Sequence, residues 1–165
     1  MSWQGKILRI NLTSGELTPE PLNMEWANDY IGERGLATKY LWENMDPKAD
    51  AMSPDNALIF ATGPLTGTNA STSGRYAVVT KGPLTGAIAC SNSGGKFGAE
   101  LKYAGFDLLL IEGRSEKPVY LLIEGDEISL VSADKLWGKT VWETDAWIKK
   151  QHHNPLLKIA PIGTA

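Results

Sequence analysis

The chain has 165 residues, of which 42% are hydrophobic and 21% charged, a balance typical of a globular domain with its own core. Its net charge of −3 gives no reason to expect nucleic acid as a partner. No apolar run is long enough to cross a membrane, and the N-terminus lacks the pattern of a signal peptide. We therefore expect a cytoplasmic protein with neither a nucleic-acid nor a membrane partner.

Hydrophobic periodicity and capping signals define five elements in the first 61 residues. The strands are predicted at 6–12, 17–21 and 57–61, and the helices at 24–30 and 36–44. Asn23 is a suitable N-cap for the first helix. The run Gly32-Glu33-Arg34-Gly35 is expected to break the chain between the two helices. Two prolines mark residues 46–55 as a surface loop.

The remainder of the chain is predicted to be richer in strands. Strands are expected at 75–80, 106–112, 118–123, 127–131 and 156–162, helices at 95–104 and 140–152, and a helical turn at 134–137. The strands are too many and too irregularly spaced for repeated βαβ units. The sequence therefore predicts an α+β domain of two mainly antiparallel sheets, related by an internal repeat, with helices outside.

One phrase, Gly-Pro-Leu-Thr-Gly, occurs twice, at 63–67 and at 82–86. Proline followed by glycine is ordinary turn chemistry, so the plain interpretation is two β-turns without a ligand. Each copy, however, leads to a loop of small and hydroxylated residues. The first loop reaches Ser73-Gly74-Arg75 and the second Ser91-Asn92-Ser93-Gly94-Gly95. We expect both turns on one rim of the sheets, and the loops that follow them to form a surface for a bound ligand.

The composition of these loops favours an anionic ligand. Glycine lets the backbone approach a ligand closely, and the guanidinium of Arg75 presents a fixed fork of donors suited to phosphate. The helix expected at 95–104 would add free N–H groups at its start. The loop is not a Walker A motif, because Phe97 stands where that motif has a hydroxyl residue, and no GxGxxG lies between a strand and a helix.

The chain offers little chemistry of its own. Cys90 is the only cysteine, which excludes an internal disulfide and any cluster held by several thiolates of this chain. Its apolar neighbours favour a small buried thiol over a nucleophile. His152 and His153 are adjacent at a helix end, so a shared metal is not expected and both should lie at the surface. No catalytic residue is assigned, and a domain of this kind usually holds a cofactor that carries the chemistry.

The segment 63–121, which contains both copies of the repeated phrase, closely resembles the N-terminal domain of the tungsten-containing aldehyde ferredoxin oxidoreductases. The opening GKILRINLTSGEL, the stretch IGERGLATKYL, the lead-in SPDNALIFATGPLTG and the late LWGKTVWETD are similar to the same domain. The resemblance runs through the chain in order. Glu33 departs from it, because a small residue is common at that position in the family.

The resemblance implies a tungsten (or molybdenum) bis-pterin cofactor beside a [4Fe–4S] cluster. Such enzymes oxidise aldehydes to carboxylates, pass electrons to ferredoxin and form homodimers or larger complexes. Their N-terminal domain is the floor on which the pterins lie. On the family pattern Arg75 would bond a pterin and the cluster edge. The backbone of Asn92 would contact a pterin or a magnesium ion that bridges the phosphates, and Ser93 and Gly94 would add backbone contacts.

The family's second pterin-binding segment, its cluster cysteines and its substrate-pocket residues all lie beyond residue 165. The resemblance therefore implies that residues 1–165 are the truncated first domain of a longer enzyme, inactive alone and partnered by the remaining domains. Two alternatives stay open. The chain could be a stand-alone phosphate- or nucleotide-binding module, or an assembly domain whose loops only pack, which would require Arg75 to be buried against carboxylates.

Overall fold

The structure is a computed structural model that describes residues 3–125 and 127–164. It divides into two compact units, Met1–Ser115 and Glu116–Ala165. The first unit contains β1 (Lys6–Asn11), β2 (Glu16–Pro21), α1 (Met24–Tyr30), α2 (Glu33–Asn44), β3 (Ala57–Thr62), β4 (Tyr76–Lys81), β5 (Ile88–Ser93), α3 (Phe97–Tyr103) and β6 (Leu108–Glu112).

The six strands of the first unit form one sheet in the order β2-β1-β6-β3-β4-β5. Only the pair β1 and β6 is parallel, and the other four pairs are antiparallel. Because of these directions, β3 and β5 end at the same edge of the sheet where β1, β4 and β6 begin. Arg75 immediately precedes β4, so we call this edge the Arg75 end.

Alternation along the strands places one face of the sheet against the first two helices. The central strands contribute a buried apolar row to this core, and α2 contributes Leu36, Ala37, Tyr40 and Leu41. On the opposite face, Phe60, Tyr76 and Phe97 form an aromatic cluster, with ring centroids 5.0 Å apart for Tyr76 and Phe97. The helices α2 and α3 are therefore held against opposite faces of the same strands.

The starts of the two helices α1 and α2 differ in kind. The side chain of Asn23 accepts a hydrogen bond from the backbone N–H of Trp26 at 3.0 Å, so the predicted cap is confirmed. Helix α2 begins at Glu33 and not at residue 36, so the prediction that Gly32 to Gly35 interrupts the chain is wrong in extent. The chain turns over three consecutive residues, because Ile31, Gly32 and Glu33 all have a positive φ, of 65°, 146° and 44°.

The second unit contains β7 (Val119–Glu124), β8 (Glu127–Ser132) and α4 (Val141–Gln151), with β7 and β8 paired as an antiparallel hairpin. The predicted hairpin turn includes Asp126, which lies outside the described residues. A small core of Ala133, Leu136 and Ile148 packs with partly buried aromatic and aliphatic side chains. The strand predicted at 156–162 is wrong, since that segment has no regular structure. Pro155 and Pro161 lack the N–H groups that strand pairing needs.

The α+β class with two mainly antiparallel sheets is confirmed. The two copies of Gly-Pro-Leu-Thr-Gly both form turns, in which the last glycines, Gly67 and Gly86, have φ of 77° and 66°. They follow β3 and β4, which are antiparallel neighbours, so they lie at opposite ends of one sheet. The expectation that both copies lie on one rim is therefore wrong.

Among the described residues, no helix combines the length and apolar character of a membrane span.

A buried ion pair fixes α3 to the sheet. The ammonium of Lys102 lies 3.1 Å from the carboxylate of Asp107, and both side chains are almost wholly buried. The same carboxylate accepts the backbone N–H groups of Gln4 at 3.1 Å and Gly5 at 2.8 Å. The carbonyl of Asp107 accepts from the backbone and the hydroxyl of Thr62, at 3.0 and 2.9 Å. One residue therefore ties together α3, the N-terminal segment and the end of β3.

Replacing Asp107 with asparagine is expected to lower the free energy of unfolding by about 3 kcal/mol, because it removes the carboxylate that lies 3.1 Å from the buried Lys102 ammonium. Chemical denaturation of the two proteins measures the difference. The matched control is Glu43→Gln, which breaks the partly exposed pair of Glu43 with Lys39 and should cost far less, because water screens exposed ion pairs. Equal losses in the two variants would contradict a special role for the buried pair.

The start of α4 supplies a second prediction. Thr140 accepts from the backbone N–H of Glu143 at 3.3 Å, and the Glu143 carboxylate accepts from the hydroxyl and the backbone N–H of Thr140. The hydrogen bond from the Thr140 side chain, with that from its backbone, lowers the pKa of Glu143. Such a group stabilises the fold above its unfolded pKa, and the contribution is lost as the pH falls through the lowered folded value.

Thr140→Ala should therefore return the Glu143 pKa toward its ordinary value, while Thr140→Ser should keep it low. Carboxyl titration by NMR measures the shift directly. The stability difference between the wild type and Thr140→Ala should shrink as the pH falls below the lowered pKa. A Glu143 pKa that is unchanged in Thr140→Ala would show that the hydroxyl is not its cause.

Candidate functional site

The antiparallel pairing of β4 and β5 brings the two predicted loops together at the Arg75 end. Tyr76 pairs with Ser93, so Arg75 and Gly94 are the next residues beyond the pair on the two strands. The side chain of Arg75 is exposed, and no carboxylate of the described residues lies within 4 Å of its guanidinium. Arg75 is thus an unpaired cation at the edge of the sheet, and the condition for a mere assembly domain is not met.

The predicted residues of the second loop lie partly on a strand. Asn92 and Ser93 are the last two residues of β5, and only Gly94 and Gly95 are outside it, which corrects the prediction of a loop from residue 91. The strand persists because each residue from Ile88 to Ser93 finds a partner on β4. All six residues of β5 are exposed, since β5 is the edge strand of the sheet. The backbone and side chains of this segment are accessible to a ligand.

Close packing between glycines joins the two segments. A Cβ atom on Gly74 would overlap the carbonyl oxygen of Gly95, and one on Gly98 would lie 3.2 Å from the carbonyl oxygen of Gly74. A Cβ atom on Gly94 would meet nothing within 4 Å. Gly74 and Gly98 are therefore needed for contact between protein segments, whereas Gly94 faces open space that a ligand can occupy.

The first copy of the repeated phrase supports Arg75 through its threonine. The buried hydroxyl of Thr66 accepts from the backbone N–H of Gly63 at 2.9 Å and donates to the carbonyl of Arg75 at 3.1 Å. The phenol of Tyr103 in α3 donates to the carbonyl of Gly67 at 2.8 Å. The backbone at Arg75 is thus held by the turn, while its guanidinium stays free.

Helix α3 contributes less than the sequence suggested. It spans seven residues, Phe97–Tyr103, where ten were predicted at 95–104, and no side chain caps its start. So short a helix provides little of the dipole that favours an anion. The groups that the Arg75 end exposes are therefore the guanidinium of Arg75 and the open backbone at Gly94, rather than the start of the helix.

Two other sequence predictions need correction. Cys90 was expected to be buried, but it is exposed on the edge strand β5. His152 is only half-exposed, and its Nε2 lies 2.7 Å from the phenol oxygen of Tyr120, whereas His153 is exposed as expected. Across residues 3–125 and 127–164, no group of three or more His, Cys, Asp and Glu side chains is placed to hold a metal ion.

Three residues that support the Arg75 end are not predicted from the sequence: Thr66, Lys102 and Asp107. Thr66 lies in a repeated turn, and Lys102 and Asp107 lie in separate predicted elements. The usable signal for the ion pair was a lysine inside an apolar helix followed closely by an aspartate before an apolar strand, since such charges are buried only as partners.

A six-stranded mixed sheet with helices on opposite faces and a glycine-rich end bearing an exposed arginine defines an α+β domain. The family profile described as "Aldehyde ferredoxin oxidoreductase, N-terminal domain" matches residues 7–165. The chain belongs to this family.

The similar proteins are all much longer than this chain. The tungsten-containing aldehyde ferredoxin oxidoreductases of Pyrococcus abyssi and Thermococcus kodakarensis are each 53% identical to it over 98% of its length. An aliphatic sulfonate oxidoreductase WOR-like subunit of Pyrococcus furiosus is 31% identical over 95% of the chain. The chain spans about a quarter of the length of these relatives, 26%, 27% and 25%.

A solved structure has the same fold. The active-site complex BamBC of benzoyl coenzyme A reductase, in complex with 1,5-dienoyl-CoA, matches with a TM-score of 0.96 at 37% identity. The match covers 98% of this chain and 25% of that one. The fold is therefore that of the family's N-terminal domain.

The two glycines of the Arg75 end provide a matched test of their different surroundings. Gly74→Ala is expected to lower the free energy of unfolding by about 1–3 kcal/mol, because its methyl group would overlap the Gly95 carbonyl. Gly94→Ala should change it by less than about 0.5 kcal/mol, because nothing lies near its Cβ position. Urea denaturation compares the two, and a larger loss in Gly94→Ala would refute the assignment.

Proposed function

We propose that this chain is the N-terminal, cofactor-binding domain of an enzyme that oxidises aldehydes to carboxylates with a tungsten (or molybdenum) bis-pterin. In the balanced half-reaction, an aldehyde and water give a carboxylate, three protons and two electrons. The electrons would leave through a [4Fe–4S] cluster to ferredoxin. The cluster ligands and the substrate pocket would belong to the remaining domains of the longer polypeptide, in a homodimer or larger complex.

One observation carries the proposal: the unpaired, exposed guanidinium of Arg75 stands beside the open backbone of Gly94 at the end of the sheet. A guanidinium binds anionic and planar acceptor groups through two parallel hydrogen bonds. The pterin cofactor offers both kinds of group, in its phosphates and in its heterocycle. The residues of this end therefore fit the ligand that the family implies.

Each of the four proposed binding residues would make its own contact with the cofactor. Arg75 would bond the pterin and lie toward the cluster edge, and Ser93 and Gly94 would contact the pterin through their backbone. The backbone of Asn92 would contact the pterin or a magnesium ion bridging its phosphates. The bound cofactor supplies the two-electron chemistry, and this chain binds and orients it without contributing a catalytic side chain.

The identity of the aldehyde would be decided outside this domain. The similar proteins include an aliphatic sulfonate oxidoreductase subunit and a benzoyl-CoA reductase complex, whose names describe different substrates. A domain shared by such different reactions supports a common function in holding the cofactor, since the fold does not determine the substrate.

Substitution of Arg75 in the full-length enzyme tests the proposal. Arg75→Ala is expected to lower the tungsten content and the pterin content per polypeptide by at least about tenfold, as expected for a lost charge-assisted contact worth about 1.5–3 kcal/mol. Elemental analysis and fluorescence of the oxidised pterin measure the two contents. The control is Arg114→Ala, an exposed arginine that follows β6 at the opposite end of the sheet.

Normal metal and pterin in Arg75→Ala would overturn the assignment of Arg75. Isothermal titration of this chain with nucleotides and with pterin phosphates addresses the alternative of a stand-alone phosphate-binding module. Saturable binding of ATP without preference for a pterin would favour that module over the proposed domain.

A further inference from the structure

The two copies of Gly-Pro-Leu-Thr-Gly have different hydrogen bonds. In the second copy, the N–H of Gly86 donates to the carbonyl of Gly82 at 2.9 Å, so this turn closes on itself. In the first copy, the corresponding glycine, Gly67, donates instead to the carbonyl of Ser73 at 3.0 Å, in the loop before β4. The first repeated turn therefore binds a neighbouring loop with a group that the second turn uses internally.

The threonines of the two copies differ in the same way. Thr85 is exposed, and its hydroxyl accepts from the backbone N–H of Ala87 at 3.2 Å, within its own hairpin. Thr66 is only 5% exposed, and its hydroxyl connects the N–H of Gly63 to the carbonyl of Arg75. Because the five residues of the two copies are identical, the difference comes from the surroundings of the first turn and not from its sequence.

Both groups on the side chain of Thr66 are in use. A Cβ atom on Gly98 would lie 3.3 Å from the Cγ2 methyl of Thr66, so the methyl group packs against the start of α3. Holding the turn through the N–H of Gly63 would require only an acceptor. The hydroxyl also donates to the carbonyl of Arg75, whose side chain is exposed. Thr66 therefore holds the backbone from which the exposed guanidinium extends.

We propose that Thr66 is a positioning residue for cofactor binding, whose hydroxyl limits the Arg75 guanidinium to positions that reach the cofactor. The inference rests on the function proposed above. A side chain on a fixed backbone loses less conformational freedom when it binds, so more of its interaction energy contributes to affinity. Thr66 itself does not contact the cofactor and acts through Arg75.

The test uses the full-length enzyme and measures release of the pterin at a fixed elevated temperature, by fluorescence of the oxidised pterin. Thr66→Val keeps the shape and the methyl group but removes the hydroxyl, and it should release pterin about fivefold faster, as expected for one ordinary hydrogen bond. Thr66→Ser keeps the hydroxyl and should release pterin at the wild-type rate. The matched control is Thr85→Val, which removes the same hydroxyl from the exposed copy and should leave the rate unchanged.

A double variant separates positioning from general stability. Thr66→Val also removes the acceptor of the buried N–H of Gly63, so it should lower the melting temperature of the cofactor-free protein with or without Arg75. In an Arg75→Ala background, however, adding Thr66→Val should not accelerate pterin release any further, because the two residues act as one unit. Equal acceleration in the presence and absence of Arg75 would overturn the inference.

The single variants supply the other outcomes. Release as fast from Thr66→Ser as from Thr66→Val would assign the effect to methyl packing against α3 and overturn the inference. Normal release from Thr66→Val, with faster release from Arg75→Ala, would overturn the role of Thr66 and leave the cofactor-binding domain intact. Unchanged release from Arg75→Ala would overturn both proposals.

A second pair of variants tests the hydroxyl if Thr66→Val does not fold. Thr66→Ser and Thr66→Cys both lack the methyl group, and a thiol is a weaker donor than a hydroxyl. Thr66→Cys should therefore release pterin faster than Thr66→Ser. Equal rates from these two variants would contradict a function of the hydroxyl.

Discussion

The geometry of the Arg75 end depends on the buried pair of Lys102 and Asp107. The carboxylate compensates the ammonium of α3 and the free N–H groups of the N-terminal segment, while the backbone carbonyl of the same aspartate holds Thr62. Thr62 is the residue before the first repeated turn, so the turn, α3 and the chain start are fixed relative to one another. Burying a charge lowers the stability of the fold unless each of its partners is in place. Loss of one partner is therefore expected to disrupt the whole arrangement.

Glycine has two different functions around this pair, and the distinction follows from what surrounds each Cα. Gly74 and Gly98 allow the loop before β4 and the start of α3 to touch, so their small size is required by the protein itself. A Cβ atom on Gly94 would meet no protein atom within 4 Å, so packing within the protein does not require glycine there. Its small size would matter only for a bound ligand. The rigid contacts thus position an open backbone segment beside Arg75, which is the arrangement that preorganised binding needs.

The parts that sequence predicts well are those decided by neighbouring residues. The cap at Asn23 and the first hairpin depend on hydrogen bonds within a few residues, and each was found where expected. The sequence predicted that the loops containing Arg75 and Gly94 contribute to one surface. The two residues do lie close together, but not for the reason that the sequence suggested. The repeated turns are at opposite ends of the sheet, and it is the pairing of β4 with β5 that brings the loops together. Strand order, the exposure of Cys90 and the Lys102–Asp107 pair all depend on tertiary contacts, which local patterns do not contain.

The proposed function would explain how one domain can serve enzymes with different substrates. The proposed binding groups are a guanidinium and an exposed strand end, and neither is given a catalytic role. Such groups would contribute binding that is equal in the ground state and the transition state, so they would retain the cofactor without selecting a reaction. The choice of substrate would then depend on other parts of the polypeptide, which would line the substrate pocket beside the cofactor. Changes at the Arg75 end should accordingly alter how much cofactor is held and for how long, and should leave the choice among bound substrates unchanged.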